Sequence, residues 1–167
     1  MRTAVVVGNP KAESRTLRVA LAVADVVEGR LGGTSDRLVL DLAGVAAELF
    51  DPEAQQVNDL VNAVAASDLL VVASPTFKAT YTGLLKSFFD RYGSNPLSGS
   101  VAVAVMTGAA PIHALAPEVH LRPLLVELGA SVPTRGLYVT EQQFGDLDTV
   151  IRAWAEVAGP ILARALT

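Results

Sequence analysis

The chain has 167 residues, 51% of them hydrophobic and 18% charged, with a formal net charge of -4 and no cysteine. That length suits one domain burying roughly two thirds of its unfolded surface, and the composition excludes a disordered chain. Lack of Cys excludes disulfides, thiolate metal sites and Cys nucleophiles, and the scattered basic residues argue against a nucleic-acid surface.

Thr3-Ala4-Val5-Val6-Val7 is a continuous apolar run ending in Gly8, the pattern of a strand covered on both faces in a parallel sheet. Four more runs, at 37–42, 69–73, 101–106 and 132–139, predict further strands. Helical patterns at 15–31, 53–66, 82–92, 116–128 and 146–165 separate them. Strict alternation implies right-handed crossovers and a three-layer α/β sandwich. Five strands in this length suit the order 2-1-3-4-5, with a ligand crevice beside the first and third strands. Pro133 fits a last strand at the sheet edge, where a missing N–H is tolerated. Pro123, inside the fourth helical pattern, predicts a kink or π-bulge. No linker or repeat divides the chain, so residues 1–167 are expected to form one domain. No apolar run approaches the ~20 residues of a membrane span. With no leader-like N-terminal segment either, the expected location is the cytoplasm.

Asn9 to Thr16 joins the first strand to a helix with Leu17, Ala20, Leu21, Ala24 and Val27 at helical spacing. Backbone N–H groups at such a helix start stabilise an anion. Asn9, Lys11, Ser14, Arg15 and Thr16 supply further donors and positive charge, so the loop reads as a phosphate cradle. Ser14 as a simple helix cap, with both cations solvated, is the competing reading. The loop is neither a P-loop nor a G-x-G-x-x-G fingerprint.

The third strand runs into Ser74-Pro75-Thr76-Phe77-Lys78-Ala79-Thr80-Tyr81-Thr82-Gly83, and the fourth into Thr107-Gly108-Ala109. With Gly8 to Thr16, these segments closely resemble the NADPH-dependent FMN reductase family, whose members have a flavodoxin-like fold. The likeness continues through Ile112-His113-Ala114-Leu115 and Leu121-Arg122-Pro123. It implies an NAD(P)H:FMN oxidoreductase that passes hydride from nicotinamide C4 to flavin N5. The cofactors implied are FMN with NADPH or NADH, and the partner implied is a flavin-dependent monooxygenase receiving reduced FMN. The family's Ser-Pro-Arg and Ser-x-Thr phosphate positions read Asn9-Pro10-Lys11 and Ser14-Arg15-Thr16 here. Pro75, Thr76, Phe77, Lys78 and Tyr81 would hold the ring, with backbone amides of Thr76 and Phe77 on its pyrimidine edge and Gly83 letting the next helix start close by. Thr107, Gly108 and Ala109 would line its other side. Phe77 stands where the family has Tyr, Ala109 where it has Gly, and Val119 where monooxygenase-partner members carry an aromatic residue.

No side chain is expected to act as a catalytic acid or base or to bind metal, because hydride transfer works by positioning. His113 and His120 read as structural. Leu84, Leu85, Phe88, Phe89 and Tyr92 form an aromatic stripe, read either as the contact of a homodimer or homotetramer or as core packing. Two other functions compete: an FMN-containing quinone, azo-dye or metal-oxyanion reductase, and an electron-carrier flavodoxin.

Overall fold

The computed structural model describes residues 1–33 and 36–167. Five parallel strands, β1 (Arg2–Val7), β2 (Asp36–Asp41), β3 (Leu69–Pro75), β4 (Val101–Gly108) and β5 (Leu137–Thr140), lie in the order β2-β1-β3-β4-β5. The order and the alternation of elements are those expected from the sequence. Period-two alternation sends Ala4 and Val6 to one face of the sheet and Val5 and Val7 to the other. Helices α1 (Arg15–Arg30) and α5 (Leu147–Ala165) cover the Val5/Val7 face through Val19, Val23, Ile151 and Leu162. The 3-10 segment Leu42–Glu48 and helices α2 (Gln55–Ala65), α3 (Gly83–Phe89) and α4 (Arg122–Glu127) cover the Ala4/Val6 face. No helix among the described residues is long and apolar enough to cross a membrane.

Three local expectations change. Phe88 and Phe89 are 0% and 2% exposed. They pack edge-on at 5.5 Å, with Tyr92 at 5.9 and 6.1 Å from the two rings and its hydroxyl donating to Val61 O. Leu85, Phe88 and Phe89 of the stripe are therefore core, with Leu84 and Tyr92 partly buried against them. Large rings are needed here because the sheet face they meet is built of small side chains, Ala4, Ala102 and Ala104 among them.

The last strand starts at Leu137 rather than near 132, so Pro133 precedes it instead of sitting in it. Residues 134–136 are held by side chains of the preceding helical segment. Glu118 Oε1 accepts Gly136 N–H at 2.5 Å, and Arg122 Nη1 donates to Thr134 O at 3.0 Å. A Cβ at Gly136 would meet Pro117 Cβ at 2.6 Å, so only glycine lets the two segments approach this closely. Backbone groups satisfied in this way do not join the ladder.

The third change concerns Gly83. A Cβ there would touch nothing, and α3 is instead seated by Thr82, which caps Leu85 N–H at 3.1 Å. The expected π-bulge is present, as a π-helical turn over Pro117–Leu121 that runs directly into α4 and Pro123.

Candidate functional site

Strands β1, β3, β4 and β5 all end at one sheet edge, where the loops after them enclose a cavity of about 380 Å³. That volume lies within the range of small-molecule sites, roughly 300–1,000 Å³. It sits where the chain's connections diverge on either side of β1 and β3, the position at which doubly wound sheets bind ligands.

The first loop is built by short-range hydrogen bonds. Asn9 Oδ1 accepts Lys11 N–H at 2.9 Å, and Glu13, at φ 51°, donates its N–H to Asp41 Oδ2 at 3.1 Å. Ser14 caps α1 by accepting Leu17 N–H at 3.2 Å. Capping uses an acceptor site on the hydroxyl and leaves its proton, so the cap and phosphate roles are compatible. The amides of Arg15 and Thr16, in the first turn of α1, are hydrogen-bonded to nothing among the described residues. They are free donors at the positive end of a 16-residue helix.

The second loop is tied to the first through Thr82, whose hydroxyl donates to Gly8 O at 2.5 Å and whose N–H donates to Ser74 Oγ at 3.0 Å. Gly8 must be glycine, because a Cβ there would come within 2.4 Å of Leu85 Cβ. Beyond Pro75 the chain folds into a tight hairpin. The amides expected to meet a ligand are spent inside the protein: Thr76 N–H on Thr107 O at 2.7 Å, Phe77 N–H on Thr80 O at 2.9 Å. In their place Lys78 and Ala79, both at positive φ, hold tip amides that no group among the described residues accepts. Thr76 Oγ1 faces the same shortage: it is buried and has no hydrogen-bond partner among the described residues. Phe77 leaves 52% of its surface exposed at the cavity wall.

From the third loop come Thr107, Gly108 and Ala109. Thr107 Oγ1 lies 2.9 Å from Thr16 Oγ1. Gly108, expected to line the ring's other side, does line the cavity. Its missing Cβ also makes room for Tyr138, whose Oη would stand 1.9 Å from it and which donates to Ala110 O at 3.0 Å.

Of the thirteen residues singled out from the sequence, Asn9, Lys11, Ser14, Arg15, Thr16, Pro75, Thr76, Phe77, Thr107, Gly108 and Ala109 line the cavity. Lys78 and Tyr81 do not; Lys78 is exposed at the hairpin tip and Tyr81 packs against the core. Three lining residues were missed, Glu13, Glu141 and Phe144. Glu141 accepts from Arg15 Nη2 at 2.5 Å, and the Arg15 guanidinium lies 5.2 Å from the Phe144 ring centroid. Both belong to the 3-10 turn Glu141–Asp146 after β5. The rule that loops at the carboxyl edge line the crevice would have pointed to them. His113 and His120 are exposed and outside the lining.

A five-stranded parallel sheet with this order and crevice defines a flavodoxin-like protein. A solved oxidoreductase from Corynebacterium diphtheriae is 29% identical, superposes with a TM-score of 0.84, and is covered over 97% of its length by 99% of this chain. The family model for NADPH-dependent FMN reductase matches residues 1–145, and the chain belongs to that family. Among its relatives, the NADH-dependent FMN reductase SfnF of Pseudomonas putida is 32% identical over 149 residues, 86% of this chain and 80% of that protein. An FMN reductase (NADPH) of Pseudomonas aeruginosa is 32% identical over 138 residues, 75% and 74% of the two chains. The protein is an NAD(P)H-dependent oxidoreductase acting on FMN.

Proposed function

We propose that FMN binds in this crevice with its phosphate on the first loop and its ring between the second and third, and that the reduced flavin leaves for a separate flavin-dependent monooxygenase. The observation that carries the reading is the pair of unspent amides, Arg15 and Thr16, at the α1 N-terminus beside loops able to wall a flat ring. Bound FMN supplies the two-electron chemistry, accepting hydride from NADH or NADPH. The protein's residues position and exclude water. Phe77 and Pro75 offer an apolar wall, and the orphaned Thr76 hydroxyl suits the polar edge of an isoalloxazine, where both donors and acceptors are available.

Charge at the site favours an exchanging flavin. Lys11 and Arg15 among the lining residues are matched by Glu13 and Glu141. A phosphate there meets helix dipole and amides without net positive charge. Binding near the micromolar level, about -8 kcal/mol, is the expected result. A flavin held at that strength serves as a substrate rather than a permanent prosthetic group.

Oxidation of NADPH and NADH, followed with and without added FMN, tests the activity. Initial-rate kinetics test the mode of use: a sequential pattern with FMN as co-substrate supports flavin supply. A protein that retains its flavin and reduces a quinone by a ping-pong pattern contradicts it.

We also propose that the protein works in the cytoplasm, where nicotinamide cofactors are held, and that it is a homo-oligomer. Ile112, Leu115 and Val119 support the latter, being 83%, 59% and 56% exposed along the short helical segments between β4 and α4. Light scattering at micromolar concentration checks it.

A further inference from the structure

Asn9, Thr16 and Thr107 are linked by hydrogen bonds across the first and third loops. Asn9 Nδ2 donates to Thr16 Oγ1 at 3.1 Å, and Thr16 Oγ1 stands 2.9 Å from Thr107 Oγ1. The Asn9 amide has one orientation available, since its carbonyl oxygen must face the Lys11 N–H it accepts at 2.9 Å. Both threonines line the cavity, yet they are only 2% and 6% exposed, so water does not satisfy them freely.

Two hydroxyls carry two protons, and the bond between them uses one. Asn9 fills an acceptor site on Thr16 and removes no proton. The second proton therefore has no acceptor among the described residues, whichever of the two oxygens carries it. Thr16 is the second residue of α1, and its backbone N–H is also unspent. A negatively charged acceptor at that helix end would take both.

We propose that Thr16 and Thr107, fixed by Asn9, act as one shared donor that gives a single hydrogen bond to a phosphate oxygen of FMN. The inference rests on the FMN reading above. It makes Thr107, on the third loop, a specificity-determining residue for the phosphate end as well as a wall of the ring site. It also makes the two hydroxyls redundant. Without the Thr107 hydroxyl, Thr16 still accepts from Asn9 and keeps a free proton. Without the Thr16 hydroxyl, Thr107 keeps its own.

The test is a double-mutant cycle on Thr16→Val and Thr107→Val, reading FMN and riboflavin affinity by fluorescence titration, with thermal melts to confirm folding. Each single variant is expected to weaken FMN by less than about threefold. The double variant is expected to weaken it by about tenfold to a hundredfold, with riboflavin nearly unaffected. The Thr16→Ser, Thr107→Ser pair keeps both protons and should bind FMN like the parent. Should the double Val variant fail to fold, the Ala pair supplies the same comparison. A double loss equal to the product of the single losses overturns the shared donor, since each hydroxyl then acts alone. Equal losses for riboflavin and FMN overturn the phosphate as acceptor. A parent protein that does not prefer FMN to riboflavin would refute the FMN placement itself, whereas a parent with that preference and additive variants refutes the shared donor alone.

Discussion

Arg15 Nη2 lies 2.5 Å from Glu141 Oε1, and its guanidinium rests on the Phe144 ring. The residue expected to bring positive charge to the phosphate is thus held by a carboxylate from the loop after β5. Both partners are half-exposed, with side chains 61% and 49% accessible, so the pair itself contributes little stability, about 0–1 kcal/mol. Its effect falls on the ligand. Replacing Glu141 by Gln should free Arg15 and tighten FMN by about three- to tenfold, roughly 0.7–1.4 kcal/mol. Riboflavin affinity should not change, and the gain should shrink in high salt. Titrations of both flavins at two ionic strengths check this.

Phe77 and Thr80 exchange backbone hydrogen bonds of 2.9 and 3.2 Å around Lys78 and Ala79, whose φ values are 52° and 70°. Two-residue hairpins with both central residues at positive φ favour Asn and Gly, and Ala in this region is strained. Ala79→Gly should raise stability by about 0.5 kcal/mol, while Ala79→Val should lower it by about 1–2 kcal/mol and weaken flavin binding. Urea unfolding and FMN titration of the two variants measure both effects.

Gly108 and Tyr138 are fitted to one another. A Cβ at 108 would overlap Tyr138 Oη at 1.9 Å and Cζ at 2.9 Å. Gly108→Ala should cost about 1–3 kcal/mol. Adding Tyr138→Val should restore part of that loss, because the obstructing ring is gone. Thermal unfolding of the single and double variants gives the sign of the coupling.

Burial pushes the Tyr92 phenol well above its usual range, and its hydroxyl donates to Val61 O at 2.8 Å. An acid whose folded pKa is raised keeps its stabilising neutral form while the unfolded chain ionises. Its contribution is complete below about pH 10 and falls as pH rises beyond that value. Tyr92→Phe should lose about 1 kcal/mol at neutral pH and show a shallower decline above pH 10. Denaturant melts between pH 8 and 11 test this.

How far the sequence foretold the molecule depends on the kind of signal each segment carries. β1, β3 and β4 were legible because strands buried on both faces read as unbroken apolar runs. The π-turn was legible because Pro123 removes a helical hydrogen bond. Phe88, Phe89 and Tyr92 were ambiguous because an apolar stripe has the same spacing whether a sheet or another subunit covers it. β5 was placed too early because Val132 and Leu137 read as one run, and the tether from Glu118 to Gly136 that interrupts it is a long-range contact. At the site, Thr76 and Phe77 were the right residues in the wrong role. Their amides close the hairpin, which a motif read along the chain does not reveal. Glu141 and Phe144 carried no motif at all and joined the crevice only through the position of β5.

An FMN held by its phosphate at the first loop is distinguished from riboflavin by that group alone. Equilibrium titration of the protein with FMN and with riboflavin, repeated on the Ser14→Ala, Arg15→Ala double variant, checks this. FMN should bind the parent near micromolar strength and riboflavin much more weakly, and the variant should lose about 2–4 kcal/mol for FMN alone. Equal affinities of the parent for the two flavins would contradict it, whereas an FMN affinity that the double variant leaves unchanged would remove the two side chains from the phosphate contact and leave the Arg15 and Thr16 amides to carry it.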